Sequence, residues 1–431
     1  MMPRFMLFGE GNAKEQAFCE QSWRVGDRAD DLLCCMYGRN HYLERNPRTV
    51  RVGGVDEAIS VGRARGVDTI VMLAIEQFEA GHVEVLQSAG FRVFGVSASA
   101  TFLENSKVRA KAFMKRHGVA SAPSVPFGDA AEAERFLVKN WAHRRFVVKA
   151  SCYLSDIKFS CTVPDTLEEA IEAVRRLSGH LAEMGAPGDM VLEERVEGRE
   201  FSVHVLVDGA DYRVLPMIRD YKQLLEGNKG PNTAGIGSIA VATDWDRDLM
   251  ADLQSRVIQP TIDGLLREGI EYKFILYIGV MMTHDGPIAL EYNVRPGTPE
   301  FPTLLALAKT SGLEMVEAIQ DGKLGSLDLE WEDDEPCSVA VTLTTSGYPL
   351  STDGLGEPIF GLEELDDDVW PLAEHMPAEP VPIASNGRVL TLVARGKSFQ
   401  EARDRVYRNV DRIRFRGRYC RRDIGDLVAL E

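Results

Sequence analysis

Pro287-Ile-Ala-Leu-Glu-Tyr-Asn-Val-Arg-Pro-Gly-Thr-Pro-Glu300 opens as an apolar strand and closes on three polar side chains. Side chains alternate faces along a strand, so Glu291, Asn293 and Arg295, at i, i+2 and i+4, share one face. A carboxylate and an amide oxygen side by side are hard ligands that suit Mg²⁺. An arginine beside them can grip a phosphate or a carboxylate through two parallel hydrogen bonds. Three such groups at the end of an apolar strand are costly to bury without a ligand. A solvated strand end carrying a chance salt bridge is the competing reading of the motif alone.

The chain around this motif, at 431 residues, exceeds one ordinary core, and roughly two to four domains are expected. Apolar residues make up 45% and charged residues 27%, the proportions of a globular protein. A net charge of −17 argues against a general nucleic-acid or anionic-membrane binder, yet leaves room for a locally basic ATP pocket. The longest apolar runs fall short of the roughly 18 residues a membrane span needs. Residues 1–9 read as the edge of a strand, too short for a signal peptide. Seven cysteines, an odd number with no CxxC pair, point to reduced thiols in a cytoplasm and away from a structural zinc site.

Toward the N-terminus strand and helix signals alternate. Residues 5–8, 31–36, 68–74 and 91–95 read as strands, and 56–65 and 82–89 as helices. That alternation predicts a parallel sheet with helices on both faces. Gly9-Glu-Gly11 lacks the third glycine of a dinucleotide fingerprint, where Lys14 stands. It reads as a tight turn into a helix able to hold an anionic group. Residues 101–117 read as one helix rich in Lys and Arg, 146–150 as a strand with Lys149 near its end, and 166–177 as an amphipathic helix. Residues 190–208 read as strand, short connection, strand. A polar, glycine-rich loop is expected over 220–237, helix over 244–268 and 304–319, and a hairpin over 274–293. After Gly325 an acidic stretch, 327–335, reads as linker. Residues 337–344, 387–394 and 398–413 then read as a small mixed domain.

Four features fit one another. Lys107 opens a helix and Lys149 ends a strand, both placed for phosphates. Glu193, Glu194 and Val196 lie on or just after a strand whose exposed backbone could pair with the edge of an adenine. Glu200 follows, a carboxylate able to accept both ribose hydroxyls. Glu291 and Asn293 can hold Mg²⁺. Asp220, Lys222, Asn232 and Thr233 could form a polar substrate wall, in a run longer than a surface turn needs. A solvated lysine and an ordinary Gly/Pro turn are the plainer readings of the first and last. The chain carries no P-loop, no HExxH and no GxSxG elbow, and its eight scattered histidines take no assignment.

Leu103-Glu-Asn-Ser-Lys107, Phe113-Met114, Val147-Val-Lys149, Leu192-Glu-Glu194, Gly198-Arg-Glu200, Asp220-Tyr-Lys222, Gly230-Pro-Asn-Thr-Ala-Gly-Ile-Gly237, Leu276-Tyr-Ile-Gly279 and Glu291-Tyr-Asn-Val-Arg295 follow one another along the chain. The tail adds Ser385-Asn-Gly-Arg-Val-Leu390 and Tyr419-Cys-Arg-Arg-Asp-Ile-Gly425. This order resembles the ATP-grasp superfamily and, within it, the glycinamide ribonucleotide synthetase family of phosphoribosylamine–glycine ligases, almost end to end. Four segments depart from the family pattern, the shortest being its GDPE, here Gly297-Thr-Pro-Glu300. Its N-terminal GSGGREHA motif, implicated in holding the phosphorylated amine, is here Gly9-Glu-Gly-Asn-Ala-Lys-Glu-Gln-Ala17. Its GPEAPL segment is Leu73-Ala-Ile-Glu-Gln-Phe78. Its mobile glycine loop DGLAAGKGV is Ser151-Cys-Tyr-Leu-Ser-Asp-Ile-Lys-Phe159, with no glycine. Glycines let a loop bring its N–H groups close to phosphates, so their loss changes how the triphosphate is covered and leaves Lys158 to reach it.

The resemblance implies an α/β chain of ATP-grasp fold. It places a parallel N-terminal α/β domain over 1–105, a lid subdomain over 106–185, a central subdomain over 186–325 and a small C-terminal α+β domain over 326–431. It implies an ATP-dependent carboxylate–amine ligase: a small carboxylate, glycine by default, is phosphorylated to an acyl phosphate, and an amine then gives the amide. ATP and Mg²⁺ are the implied cofactors. Lys107, Lys149, Glu193, Glu194, Val196 and Glu200 would bind the nucleotide, and Glu291 and Asn293 the metal. Asp220, Lys222, Asn232, Thr233 and Arg295 would bind substrate, with Arg295 and Lys158 catalytic. The expected partners are small-molecule carboxylate and amine substrates, with neither nucleic acid nor membrane, in a cytoplasmic monomer or homodimer. Two further readings stand beside this one. The changed N-terminal motif favours a relative recruited to specialised metabolism, joining a different carboxylate and amine. The lost glycine loop favours a catalytically weak nucleotide-binding protein.

Overall fold

The computed structural model describes residues 4–26, 28–152, 160–242, 247–377 and 380–426. The first apolar run forms the strand Phe5–Gly9. Leu32–Met36 and then Thr49–Arg51 lie on one side of it, Thr69–Val71 and then Arg92–Phe94 on the other, all parallel. Phe5–Gly9 and Leu32–Met36 are buried along their whole length, as the centre of a sheet covered on both faces should be. Strand order reverses at Phe5–Gly9. In open parallel sheets the crevice beyond the carboxyl end of such a strand, here at Gly9, is where ligands sit.

Ser124–Phe127, Met190–Glu194, Phe146–Ala150 and Cys161–Thr162 form a four-stranded antiparallel sheet. The helices Ala130–Asn140 and Leu167–Glu183 cover it, with Leu137, Val174 and Leu177 packed among Phe146, Val148 and Leu192. The second helix runs beyond the expected residue 177, because Leu181 continues its apolar stripe. Thr166 and Glu169 close its start in a capping box.

The largest sheet runs Gly286–Asn293, Ile275–Thr283, Arg199–Asp208, Ile218–Asp220, Gly237–Val241, Cys337–Thr344, Arg388–Gly396, Val369–Ala373. Cys337–Thr344 pairs antiparallel with Gly237–Val241, so one sheet continues from the Glu291 strand into the C-terminal segment. Parallel and antiparallel sheets layered with helices place the chain in the expected α/β class.

Local structure departs from the sequence expectation at four points. The helix expected over 101–117 breaks into Phe102–Asn105 and Lys107–His117. Ser106 leaves the helical region (φ −142°, ψ 94°), and its hydroxyl accepts from the Arg109 N–H at 3.3 Å, restarting the helix as an N-cap. The loop expected over 220–237 contains a hairpin, Gln223–Leu225 with Lys229–Asn232, turned by Gly227 and Asn228 at positive φ. The single helix expected over 304–319 is two, Glu300–Leu305 and Gly312–Gln320, the second restarted by the Ser311–Glu314 capping box. Asn293 ends its strand, and Leu290 is an extra residue in the pairing, since Gly279 faces Glu291 while Val280 faces Ala289. Arg295 therefore lies beyond the strand rather than on its face, and a bulge re-aims Glu291.

Candidate active site

The break at Ser106 decides where Lys107 goes. Its backbone N–H donates to Ser151 O at 2.8 Å, just past the end of the strand Phe146–Ala150. The helix start is thereby pinned to the strand end that carries Lys149. The Lys107 ammonium lies 3.1 Å from Glu291 Oε2, and Lys222 Nζ lies 3.9 Å from Glu291 Oε1. Lys107, aided by Lys222 and Lys149, holds the Glu291 carboxyl well below the usual carboxylate range, against the opposing effect of burial. Asn293 shares this face of the strand, and its side-chain amide makes no hydrogen bond among the described residues.

Glu193, expected at the nucleotide, is 2% exposed and held between two lysines. Lys149 Nζ is 3.1 Å and Lys111 Nζ 3.0 Å from its Oε2. It fixes the lysines rather than facing outward. Lys111 was not foreseen, although it stands four residues after Lys107 on one helix face, the spacing that brings side chains together. Burial, with Lys149 adding to it, lowers the Lys111 ammonium to about 8 despite Glu193. Glu194, partly exposed, pairs with Arg144. Val196 is half-buried in the connection between Met190–Glu194 and Arg199–Asp208. Gly198 in that connection lies against the Glu291 hairpin. A Cβ there would stand 2.2 Å from Met282 O, a close approach only glycine permits.

Glu200 pairs with Lys222, whose ammonium is also 4.0 Å from Asp220 Oδ2. Burial works to lower the Lys222 pKa, but Glu200, Tyr277, Glu291 and Asp220 hold it well above its usual value. Thr233 binds back to Lys222: its N–H and its hydroxyl each donate to Lys222 O at 2.7 Å. Thr233 thus positions the backbone of Lys222, while Asn232 is exposed on the hairpin and makes no hydrogen bond or ion pair with these carboxylates.

Asp220 is buried beside Glu300, and burial together with the Glu300 charge raises its pKa well above the ordinary value. Tyr277 OH donates to Glu300 Oε1 at 3.0 Å and lies 2.9 Å from Ser202 Oγ. Asp220 Oδ1, Glu300 Oε2 and His204 Nδ1 are buried without a hydrogen-bond partner among the described residues. Such orphaned atoms are rare in folded proteins and point to a bound group. His204 accepts from the Gly297 N–H at 3.1 Å and stays neutral, pushed down to about 3 by burial and then by Arg295. Ser202 and His204 share the strand face of Glu200, an i, i+2, i+4 pattern readable in the sequence but given no weight there. Arg388 was also missed. It donates to Ala234 O at 2.7 Å and Thr298 O at 2.7 Å, tying the C-terminal segment to this wall.

Arg295 donates through Nε to Glu104 Oε1 at 2.9 Å, and the Val294 N–H donates to Glu104 Oε2 at 2.8 Å. The buried Glu104 carboxylate therefore anchors the end of the site strand. Ion pairs and charge contacts thus join Lys107, Lys149, Glu193, Glu200, Asp220, Lys222 and Glu291, whereas Glu194 pairs with Arg144 and no hydrogen bond or ion pair among the described residues joins Val196 or Asn232 to them. Lys158 lies outside the described residues.

Family models for the ATP-grasp (A) domain and the C domain of phosphoribosylglycinamide synthetase match residues 105–301 and 338–427. A phosphoribosylamine--glycine ligase of Caldanaerobacter subterraneus subsp. tengcongensis is 36% identical over 345 residues, 80% of this chain and 81% of the relative. The chain belongs to the phosphoribosylglycinamide synthetase family. A ligase of the same name from Clostridium acetobutylicum is 29% identical over 426 residues, 98% of this chain and 99% of the relative. The crystal structure of phosphoribosylamine--glycine ligase from Thermotoga maritima matches with a TM-score of 0.79 at 26% identity, covering 97% of this chain and 99% of that one. The biotin carboxylase domain of Hydrogenobacter thermophilus 2-oxoglutarate carboxylase, solved with MgADP, shares the fold at a TM-score of 0.70 and 13% identity. This member of the synthetase family is an ATP-dependent ligase that forms a carbon–nitrogen bond.

The N-terminal turn of this synthetase family member is filled by its own carboxylates. Glu15 Oε2 accepts from the Gly11 N–H at 2.7 Å and the Asn12 N–H at 3.1 Å, and Glu374 Oε2 accepts from the Ala13 N–H at 3.4 Å. These carboxylates cap the start of the helix Ala13–Arg24. Among the described residues no helix is long and apolar enough to cross a membrane.

Proposed function

We propose that the chain activates a small carboxylate, glycine by default, and passes its acyl group to an amine. The observation that carries this is Glu291, kept ionised by Lys107, Lys222 and Lys149 beside the Asn293 amide, which makes no hydrogen bond among the described residues. These two oxygen donors fit Mg²⁺, which takes one or two protein ligands and completes its shell from phosphates and water. Held by Glu291 and Asn293, the ion would supply positive charge that offsets the charge developing during phosphoryl transfer.

Lys107 and Lys149 bind the nucleotide phosphates, with Glu193 and Lys111 holding Lys149 in place. Glu194, Val196 and Glu200 line the adenosine. Asp220, Lys222 and Arg295 hold the carboxylate substrate, with Thr233 setting the position of Lys222. A carboxylate oxygen of the substrate attacks the γ-phosphorus and ADP leaves. The amine nitrogen then attacks the acyl carbon, the phosphate departs, and the nitrogen loses a proton. Lys158 is assigned to the phosphates on sequence grounds. The enzyme works in the cytoplasm as a monomer or homodimer.

ADP release with glycine, Mg²⁺ and an amine panel tests the reading. It should require glycine and Mg²⁺, and be lost in Glu291→Gln. Release that ignores both additions would refute it.

A further inference from the structure

We infer that Tyr348 is a positioning residue for the substrate wall: through the backbone of Ala234, its hydroxyl sets where Thr233, Lys222 and the surface before Asp220 stand. The inference rests on the ligation reading above, in which that wall holds the carboxylate substrate.

Residues 233–236 join the hairpin strand Lys229–Asn232 to the strand Gly237–Val241 and lie outside both. Most of their N–H groups find acceptors close by in the chain. Thr233 donates to Lys222 O at 2.7 Å, Gly235 to Thr233 Oγ1 at 3.1 Å, and Ile236 to Tyr221 O at 3.1 Å. The Ala234 N–H donates instead to the Tyr348 hydroxyl at 3.0 Å, 114 residues further on. The Ala234 carbonyl accepts from Arg388 Nη1 at 2.7 Å, and the same nitrogen reaches Gly235 O at 3.3 Å. Both polar groups of the Ala234 backbone are thus held by side chains of the C-terminal segment.

The neighbours of Ala234 carry its position into the site. Thr233 donates through its N–H and its hydroxyl to Lys222 O. Gly235, at φ +96°, packs so closely that an added Cβ would stand 2.8 Å from Pro299 Cδ and 3.4 Å from Asp220 Oδ1. That Asp220 oxygen is buried without a hydrogen-bond partner among the described residues. A shift of Ala234 therefore moves the Lys222 backbone and the surface before Asp220 together.

The hairpin on the other side is held separately and more than once. The Tyr419 hydroxyl donates to Leu224 O at 2.9 Å, while Arg421 donates to Gln223 O at 2.8 Å and the Gly227 N–H donates to Asp423 Oδ2 at 2.9 Å. Losing the Tyr419 hydroxyl leaves the hairpin anchored. Losing the Tyr348 hydroxyl takes from the Ala234 N–H its acceptor. Ala234 is exposed, so water can replace it, and the chain keeps its fold while the loop loses its fixed place.

Tyr348→Phe and Tyr419→Phe in the full chain form a matched pair, each removing one hydroxyl that binds this segment. Glycine hydroxamate formation from ATP, Mg²⁺ and hydroxylamine gives KM for glycine and for ATP. Tyr348→Phe should raise KM for glycine about three- to tenfold, the range of one hydrogen bond, and leave KM for ATP within about twofold. Tyr419→Phe should change neither. An unchanged KM for glycine in Tyr348→Phe, an equal rise in both variants, or a rise shared by ATP overturns the inference. Hydrogen–deuterium exchange of peptides spanning 230–237, without ligands, reads the contact apart from activity. Exchange should quicken in Tyr348→Phe by about threefold or more, and exchange that matches the parent chain overturns the inference. A parent chain that forms no hydroxamate would sink the ligation reading, and the exchange arm would still decide whether Tyr348 holds this loop.

Discussion

Lys107 Nζ and Glu291 Oε2 lie 3.1 Å apart, one heading a helix and the other near the end of a strand about 180 residues later. Two further lysines, Lys222 and Lys149, bear on the same carboxylate. Glu291 is therefore ready, ionised, for a cation that must displace an ammonium to reach it. Replacing it by Gln, or Asn293 by Ala, should lower kcat by roughly a hundredfold, the scale of losing one preorganised charge-stabilising group. Far-UV circular dichroism should be unchanged. A variant that turns over normally would remove the metal assignment.

Glu104 couples the N-terminal segment to the site strand through Arg295 and the Val294 N–H. Glu104→Ala leaves Arg295 facing a vacated, buried position. Removing one partner of a buried pair costs about 3 kcal/mol, so the urea midpoint should fall. KM for glycine should rise as Arg295 loses its orientation. An unchanged midpoint and KM would mean that the pair neither stabilises nor positions.

Glu15 predicts a pH dependence of stability. Burial raises its pKa from 4.5 to about 7, with Lys14 and the Asn12 and Gly11 N–H groups opposing. The folded chain then holds an extra proton between those values, so this group's contribution to stability falls as pH rises from 4.5 to about 7. Glu15→Gln removes the term. Relative to the parent chain the variant should gain, by about 3 kcal/mol, on going from pH 4.5 to pH 7. Parallel urea curves at both pH values measure it, and a gain in the opposite direction would show that Glu15 is ionised throughout.

Gly198 sits where Met190–Glu194 of the four-stranded sheet passes into Arg199–Asp208 of the largest sheet. A methyl group there meets Met282 O at 2.2 Å, and backbone cannot yield as a flexible side chain can. Gly198→Ala should cost about 1–3 kcal/mol through overpacking and raise KM for ATP more than KM for glycine. Equal effects on both would place the strain elsewhere.

The parts of the site legible in the sequence were polar residues interrupting apolar strands or opening helices: Lys107, Lys149, Glu200, Asp220, Lys222, Glu291 and Asn293. Polarity against an apolar background is itself the signal. The parts that stayed hidden are polar residues whose partners come from far along the chain. Lys111 looks like an ordinary helix lysine until Glu193 is beside it. Glu300 and Arg388 acquire meaning only once the fold brings them to Asp220, and Glu104 only once Arg295 and the Val294 N–H are beside it. The Ser106 break was hidden for a local reason: Arg109 stands where a capping box would place Glu, so the usual helix-start pattern is missing. The alternating strands of the N-terminal sheet were readable from their apolar runs, whereas the strand Val369–Ala373 was not. It carries Trp370 and Pro371 near an acidic turn and is a strand because Arg388–Gly396 pairs with it.

The most direct test of the account is a trapping experiment with glycine, ATP, Mg²⁺ and hydroxylamine. An enzyme that makes glycyl phosphate should form glycine hydroxamate and ADP in equal amounts, and Glu291→Gln should lose both together. ADP formed without hydroxamate, or hydroxamate undiminished in Glu291→Gln, would contradict it.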